Sequence, residues 1–336
     1  MRAWAELLRL PALFTVPGDA LAGAAAVAAR PSSRTLLAIG ASLCLYEAGM
    51  ALNDWADRAE DAAERPHRPL PSGRIRPAAA FTAACAGTAT GLALAFRAGR
   101  PAFAVAAPLA ATVWAYDLAL KHTPAGPAAM AAARGLDLLL GAAATTGRIR
   151  PALRPAVLLS GHTLAVTTVS RHETRGGSSL APLAALAATG AVTSRLLTRR
   201  RARAATAETG PPASSTAPSR LPAGPGSAAA HGLPGTPAPR TGHAPGTLRP
   251  PTRRPAQDAV RAALAAVYAA TATRPYAHAT LNPSPPLTQR AVGGGIRATI
   301  PLQAALLARS GAPATALLTA ALAPIAAKFA RKVSVT

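Results

Sequence analysis

The sequence predicts an all-α protein: a polytopic membrane helical bundle of about nine transmembrane helices around a central cavity. Three observations predict it. Half of the 336 residues are hydrophobic by type and only 15% are charged, whereas a soluble domain carries about 25% charged residues. The apolar residues gather in blocks of roughly 18–22, the length a helix needs to cross about 30 Å of hydrocarbon. Ala and Gly crowd these blocks, and small residues let membrane helices approach closely where no hydrophobic force drives them together. Wholesale disorder and an ordinary soluble α/β enzyme are excluded.

The first block, 11–29, follows a short segment without a small-residue cleavage site, so it is expected to be a retained span and not a signal peptide. Further blocks run over 35–52, 77–97, 101–119, 126–146, 152–169, 178–197, 258–274, 291–308 and 311–327. Nine are expected to cross. The last block, or the stretch around 285–300, is expected to be interfacial or partly re-entrant. From Thr198 to Pro255 the chain is rich in Arg, Pro, Ser, Thr and Gly and cannot bury enough apolar surface to offset its ordering entropy. Residues 198–255 are therefore expected to be a disordered loop. It separates a first part of the bundle, 1–197, from C-terminal helices of the same bundle, 256–336.

The charge sums to +23, from 36 basic and 13 acidic residues. Lysine appears only at Lys121, Lys328 and Lys332, and with the heavy Ala and Pro usage this looks like the codon bias of a GC-rich genome. No basic platform interleaved with aromatics and no zinc-finger or helix-turn-helix signature is present, so nucleic acid is not an expected partner. Cys44 and Cys85 have neither CxxC spacing nor a nearby His or Cys partner, which fits small buried hydrophobes and not a metal site.

The chemistry concentrates after the second block. Asp54, Asp57 and Asp61 stand at i, i+3 and i+7, a spacing that stacks them on one helix face. Three carboxylates on one stripe repel unless something positive sits among them. Mg²⁺ is the natural occupant, a hard cation held by carboxylates together with substrate phosphates. Arg65 and Arg68 follow and could grip the rest of a diphosphate bidentately.

The run Asn53-Asp54-x-x-Asp57-x-x-x-Asp61 followed by Arg68-Pro69-Leu70-Pro71-Ser72-Gly73 resembles the first signature of the UbiA superfamily of intramembrane prenyltransferases. The resemblance implies that Asn53, Asp54, Asp57 and Asp61 form the Mg²⁺ face for an isoprenyl diphosphate, with Arg68 as a diphosphate contact. Tyr116 and Lys121, after the fourth block, match a tyrosine and lysine the family has at the loop closing over the diphosphate. They would also serve as interfacial anchors of a helix end. After the sixth block the family has a second acidic motif. Here Ser170 stands where an aspartate is expected, Glu173 is the only acid, and Arg171 matches. With Arg134-Gly135-Leu136-Asp137 and Ile300-Pro301-Leu302-Gln303, this looks like a divergent bacterial branch accompanying Ebo-type gene clusters. The second metal site is expected to be impaired or replaced.

Glu47, Arg134 and Asp137 fall inside expected spans, where ionisable groups normally face the bundle interior and have partners. Arg134 and Asp137 stand at i, i+3 and could pair with each other; alternatively Arg134 lies near the diphosphate and Asp137 near the acceptor. Glu47 stands two turns before Asp54, on roughly the same face. It is expected to point into the same cavity as a proton acceptor. For His67, His162 and His172 a satisfied or solvated imidazole is the simpler reading.

The expected function is transfer of an isoprenyl group from a polyprenyl diphosphate to an unidentified small-molecule or lipid acceptor, by Mg²⁺-assisted pyrophosphate departure. The alternative is a non-catalytic membrane protein that binds or handles a prenyl precursor. A CDP-alcohol phosphotransferase also uses spaced aspartates, but 53–64 lacks its Asp-Gly and Ala-Arg order; a transporter would show internal repeats, which are absent. The expected location is a bacterial inner membrane, multi-pass. The loops after spans two, four and six share one side, the cytoplasmic side if the N-terminus lies there. Arg30, Arg34, Arg97, Arg100, Arg148, Arg150 and Arg154 fall on the opposite side and run against the positive-inside rule.

Overall fold

The computed structural model describes residues 2–173, 177–198 and 255–333, and no β-strand occurs among them. The helices are α1 (Arg2–Leu7), α2 (Val16–Ala26), α3 (Ser33–Ala56), α4 (Arg58–Glu64), α5 (Pro77–Ala98), α6 (Arg100–Ala115), α7 (Gly126–Thr146), α8 (Leu153–Ser170), α9 (Leu180–Leu197), α10 (Pro255–Leu281), α11 (Pro285–Arg309) and α12 (Pro313–Val333). Several begin with Pro in the first turn, where its missing N–H costs nothing. The segment expected to be disordered lies outside the described residues, apart from its two ends at Thr198 and Pro255.

Six of these helices among the described residues are long and apolar enough to cross a membrane: α3, α5, α6 with its extension to Leu120, α7, α9 and α11. Shorter apolar helices cover Leu13–Ala26 and Pro313–Lys328. Nine spans exceed what length and hydropathy alone support, for a readable reason. The 18-residue α8 carries His162 and several threonines, and the 27-residue α10 carries Asp258, Arg261, Arg274 and His278. The stretch 285–300 is not re-entrant; it opens α11, one continuous 25-residue helix that is mostly buried.

α7 lies against α2, α3, α6 and α8, while α11 lies against α2, α8, α10 and α12. The α2–α7 seam shows why small residues fill these helices. A methyl group on Gly23 would meet the Leu138 carbonyl oxygen at 2.0 Å, and one on Gly141 would meet that of Ala20 at 2.2 Å. Two glycines, one from each helix, thus let the backbones touch. In the second half of the chain, buried His162 bonds the Gly295 carbonyl through Nε2 at 3.1 Å, and its Nδ1 lies 3.2 Å from the Tyr268 hydroxyl. Nε2 must then carry the proton and Nδ1 accept, so this histidine is a structural tie between α8, α10 and α11.

Candidate active site

The acidic stripe sits where α3 gives way to α4. The expected single helix is interrupted at Asp57, a non-helical residue between Ala56 and Arg58, yet i to i−4 bonds run through it, from the Asp57 N–H to Asn53 and from the Asp61 N–H to Asp57. Asp54 and Asp61 therefore remain together while Asp57 turns aside. Behind them the Arg68–Gly73 turn folds the chain back. The Ser72 hydroxyl donates to the Arg68 carbonyl at 2.6 Å, Leu70 and Ile75 are buried, and Gly73 takes a left-handed φ of 72° that favours glycine. Phe81 packs tilted against Trp55 and edge-on to Trp114, with ring centroids 4.7 and 6.0 Å apart.

That turn lays Arg68 across the aspartates, 2.7 Å from Asp61 and 3.7 Å from Asp54. Arg65 reaches Asp61 at 3.5 Å. Arg9 approaches Asp54 at 3.4 Å, and its own backbone is left-handed, with φ 47°, a strain characteristic of functional positions. Asp57 pairs instead with Lys121, and His122 lies 3.9 Å from both Asp57 and Glu60. The ligand atoms of Asp57, Glu60 and His122 lie within 4.8 Å of one another.

Lys121 reaches Asp57 because α6 ends in a π-turn over Tyr116–Leu120, in which the Lys121 N–H bonds the Tyr116 carbonyl at 2.9 Å. Such widened turns recur at functional sites. This one also sends Tyr116 and Asp117 into a cavity of about 310 Å³ between α3, α6 and α7. Asn53 donates to the Asp117 carboxylate at 3.0 Å. Arg9, Asn53, Tyr116 and Asp117 form the cavity's rim, next to the aspartates. Leu45, Gly49, Met50, Leu109, Val113 and Met130 form an apolar waist. Ser42, Arg134 and Asp137 form a polar floor.

The floor corrects one expectation. Arg134 and Asp137 do not pair with each other. Arg134 binds buried Asp19 of α2 at 2.9 Å, and Asp137 accepts from Ser42. Gln303 of α11 donates to Asp19 and to the Thr15 carbonyl, both at 2.6 Å, so one polar network ties α2, α7 and α11. Glu47 corrects another. The cavity-lining stripe of α3 is Ser42, Tyr46, Gly49 and Asn53, and Glu47 stands about 100° around the helix from Tyr46, in a different pocket. It is not positioned as a proton acceptor for chemistry in the cavity.

At the loop after α8, the Ser170 hydroxyl is consumed by the Thr167 carbonyl at 2.8 Å. Arg171 donates to the Thr123 and Lys121 carbonyls at 2.6 and 3.4 Å, strapping the loop that carries Lys121. Burial pushes the Glu173 carboxyl above its ordinary range, and the Arg65 charge opposes this. Asp54, Asp57, Asp61, Arg65, Arg68 and Lys121 are thus assembled at the rim with Asn53 and Tyr116, and Arg134 and Asp137 lie at the floor. Sequence reasoning missed Arg9 and Asp117 as groups lining the cavity, and the buried Asp19 and Gln303 that stand behind Arg134. The signal available for Asp19 was a lone acid inside an otherwise uncharged apolar block.

The carboxylate oxygens suit a hard divalent cation. Asp54 and Asp61 share Arg68, so they are close enough to hold a positive partner in common. That is the test the donor set must meet for Mg²⁺.

A profile of the UbiA prenyltransferase family matches residues 13–207. The digeranylgeranylglyceryl phosphate synthase of Methanopyrus kandleri is 36% identical over 129 residues, covering 37% of this chain and 46% of that protein. The chain spans about half the length of the curated relatives it matches. Two solved structures share the fold. A UbiA homolog from Aeropyrum pernix K1 superposes with a TM-score of 0.57 at 16% identity, over 88% of this chain and 96% of that one. A UbiA homolog from Archaeoglobus fulgidus bound to GPP and Mg²⁺ gives 0.54 at 14%, over 93% and 99%.

Proposed function

The chain belongs to the UbiA prenyltransferase family, and from that premise we propose that it transfers an isoprenyl group from a polyprenyl diphosphate to a small-molecule or lipid acceptor within the membrane. One observation carries the reading: three aspartates and the cations Arg9, Arg65, Arg68 and Lys121 gather at the rim of a cavity whose waist is hydrocarbon. The rim suits a diphosphate and the waist suits what is attached to it.

Asp54, Asp57 and Asp61 would hold Mg²⁺, which when bound neutralises negative charge on the departing pyrophosphate. Arg65, Arg68 and Lys121 exchange their present carboxylate partners for diphosphate oxygens, Arg68 through its planar fork and Lys121 as a point charge. Tyr116 and Asn53 orient the head from the cavity side. The apolar waist keeps water from the allylic cation and strengthens each rim contact. A UbiA homolog was solved with GPP and Mg²⁺, which supports the donor class. The site loops would face the cytoplasm of a bacterial cell.

The experiment is a prenyl-transfer assay of the purified protein with a panel of allylic diphosphates and lipid or sugar-alcohol acceptors. Product that forms with the wild type and vanishes in Asp57→Ala supports transfer. The alternative, a protein that binds a prenyl precursor without turnover, is favoured by the Ser170 hydroxyl being tied to its own helix and by Glu173 being the only acid in its loop among the described residues. Diphosphate binding that needs Asp54 and Asp61, with no product from any acceptor, would establish that alternative.

A further inference from the structure

We propose that Arg74 and Glu6 form a positioning clasp that sets Arg68 and Arg9 over the acidic stripe. The Arg74 guanidinium grips both Glu6 carboxylate oxygens, through Nη1 at 2.7 Å and Nη2 at 3.1 Å. Its Nη2 also donates to the His67 carbonyl at 2.6 Å, and its Nε to the Ser72 hydroxyl at 3.0 Å. The His67 carbonyl directly precedes Arg68, and the Ser72 hydroxyl donates in turn to the Arg68 carbonyl at 2.6 Å. Arg74 therefore holds the peptide groups on both sides of Arg68 while it ties that turn to α1. The inference rests on the reading of the rim as a diphosphate site.

Each end of the clasp leads to one cation of the rim. From the turn, Arg68 reaches Asp61 and Asp54. At the other end Glu6 closes α1: its carbonyl accepts the Arg9 N–H at 3.2 Å. Leu7, beside it, is buried in one cluster with Leu52, Leu70 and Ile75. Arg9 leaves this anchor with its left-handed φ of 47°, a conformation costly for a residue with a side chain, and reaches Asp54 at 3.4 Å. Two cations, one from each end of the clasp, thus converge on the same carboxylate. Among the described residues Arg74 makes its ion pair with Glu6 alone, so it acts on the site through Arg68 and Arg9 and not by contact. Both side chains are 41% exposed, where an ion pair adds little to global stability. What the bidentate geometry supplies is direction.

The test separates position from charge. Geranyl diphosphate with Mg²⁺ is titrated calorimetrically into the full-length protein in detergent, and the melting temperature is followed beside it. Arg74→Lys keeps the positive charge, but a point charge on a flexible stem cannot span the same contacts. It is expected to weaken binding roughly tenfold, the factor of a hydrogen bond to a charged group. Glu6→Ala removes a negative charge, which by Coulomb attraction alone would tighten the binding of an anion. The clasp predicts the opposite sign, a several-fold weakening. Both variants are expected to melt with the wild type. Binding by Arg74→Lys equal to the wild type, unchanged or tighter binding by Glu6→Ala, or a large fall in melting temperature in both would overturn the proposal. The two variants cut the clasp from opposite ends, so either decides where the other fails to fold. A wild type that binds no geranyl diphosphate would refute the diphosphate reading of the rim and the clasp's role with it, whereas wild-type binding untouched by either variant refutes the clasp alone.

Discussion

Arg68 and Lys121 divide the acidic stripe between them, and this division sets what each carboxylate does. Asp54 and Asp61 share one guanidinium nitrogen of Arg68, while Asp57 faces Lys121. If the three act together on a diphosphate, removing any one should be felt far beyond its own contact. Asp57→Ala is expected to lower the initial rate of prenyl transfer by roughly 10²–10³, the loss typical of deleting one electrostatic stabiliser. Asp54→Ala and Asp61→Ala are expected to weaken diphosphate binding, measured by titration calorimetry, with the melting temperature nearly unchanged. At the floor the balance differs. Asp19 is fully buried and holds Arg134 at 2.9 Å, so Asp19→Ala leaves a largely buried guanidinium without its partner. The expected cost is about 3–5 kcal/mol, read as a large fall in thermal stability in detergent. Gln303→Ala removes two donated bonds, one of them to the buried Asp19 carboxylate, and is expected to cost about 2–3 kcal/mol.

At the scale of elements, the seams between helices are set by what is missing from the side chains. At α2–α7 the reciprocal approach of Gly23 to Leu138 and of Gly141 to Ala20 leaves no room for a methyl group. Gly141→Val is expected to push the helices apart and cost at least about 1–3 kcal/mol by overpacking, checked by thermal melting. Because Asp19, Arg134 and Asp137 stand on these same two helices, the variant should also perturb the floor of the cavity. The π-turn at Tyr116–Leu120 is the other decisive element. It rotates the end of α6 so that Tyr116 and Asp117 face the cavity while Lys121 crosses to Asp57.

For the whole molecule, the arrangement predicts a metal requirement separable from folding. Chelation with EDTA is expected to abolish diphosphate binding while leaving the melting temperature of the ligand-free protein unchanged, and added Mg²⁺ to restore binding. Unchanged diphosphate affinity after chelation would refute the role given to the aspartates. Orientation is testable in the same preparation. His67 is exposed on the loop that carries Arg68, so His67→Cys in a cysteine-free background should react with an impermeant maleimide only from the cytoplasmic face. Reaction only from the other face would invert the topology and place the arginines of the opposite short loops on the cytoplasmic side, as the positive-inside rule asks.

The all-helical membrane architecture and the acid-rich rim were legible in the sequence, because both are local. A span is a run of apolar residues longer than a bilayer core, and Asp54, Asp61, Arg65 and Arg68 occupy one short stretch, although the break that turns Asp57 aside to Lys121 was not legible in their spacing. What the floor would be was not legible. Asp19, Ser42, Arg134, Asp137 and Gln303 come from α2, α3, α7 and α11, and no periodicity in one helix tells which distant side chain will meet it. Arg134 had an acid within reach on its own helix, yet it bonds one more than a hundred residues away, because the glycine seam draws α2 against α7. Glu47 shows the same limit: a helical wheel places it on the stripe of Asp54, but only the packing of α3 between α5 on one side and α6 and α7 on the other decides which stripe faces the cavity.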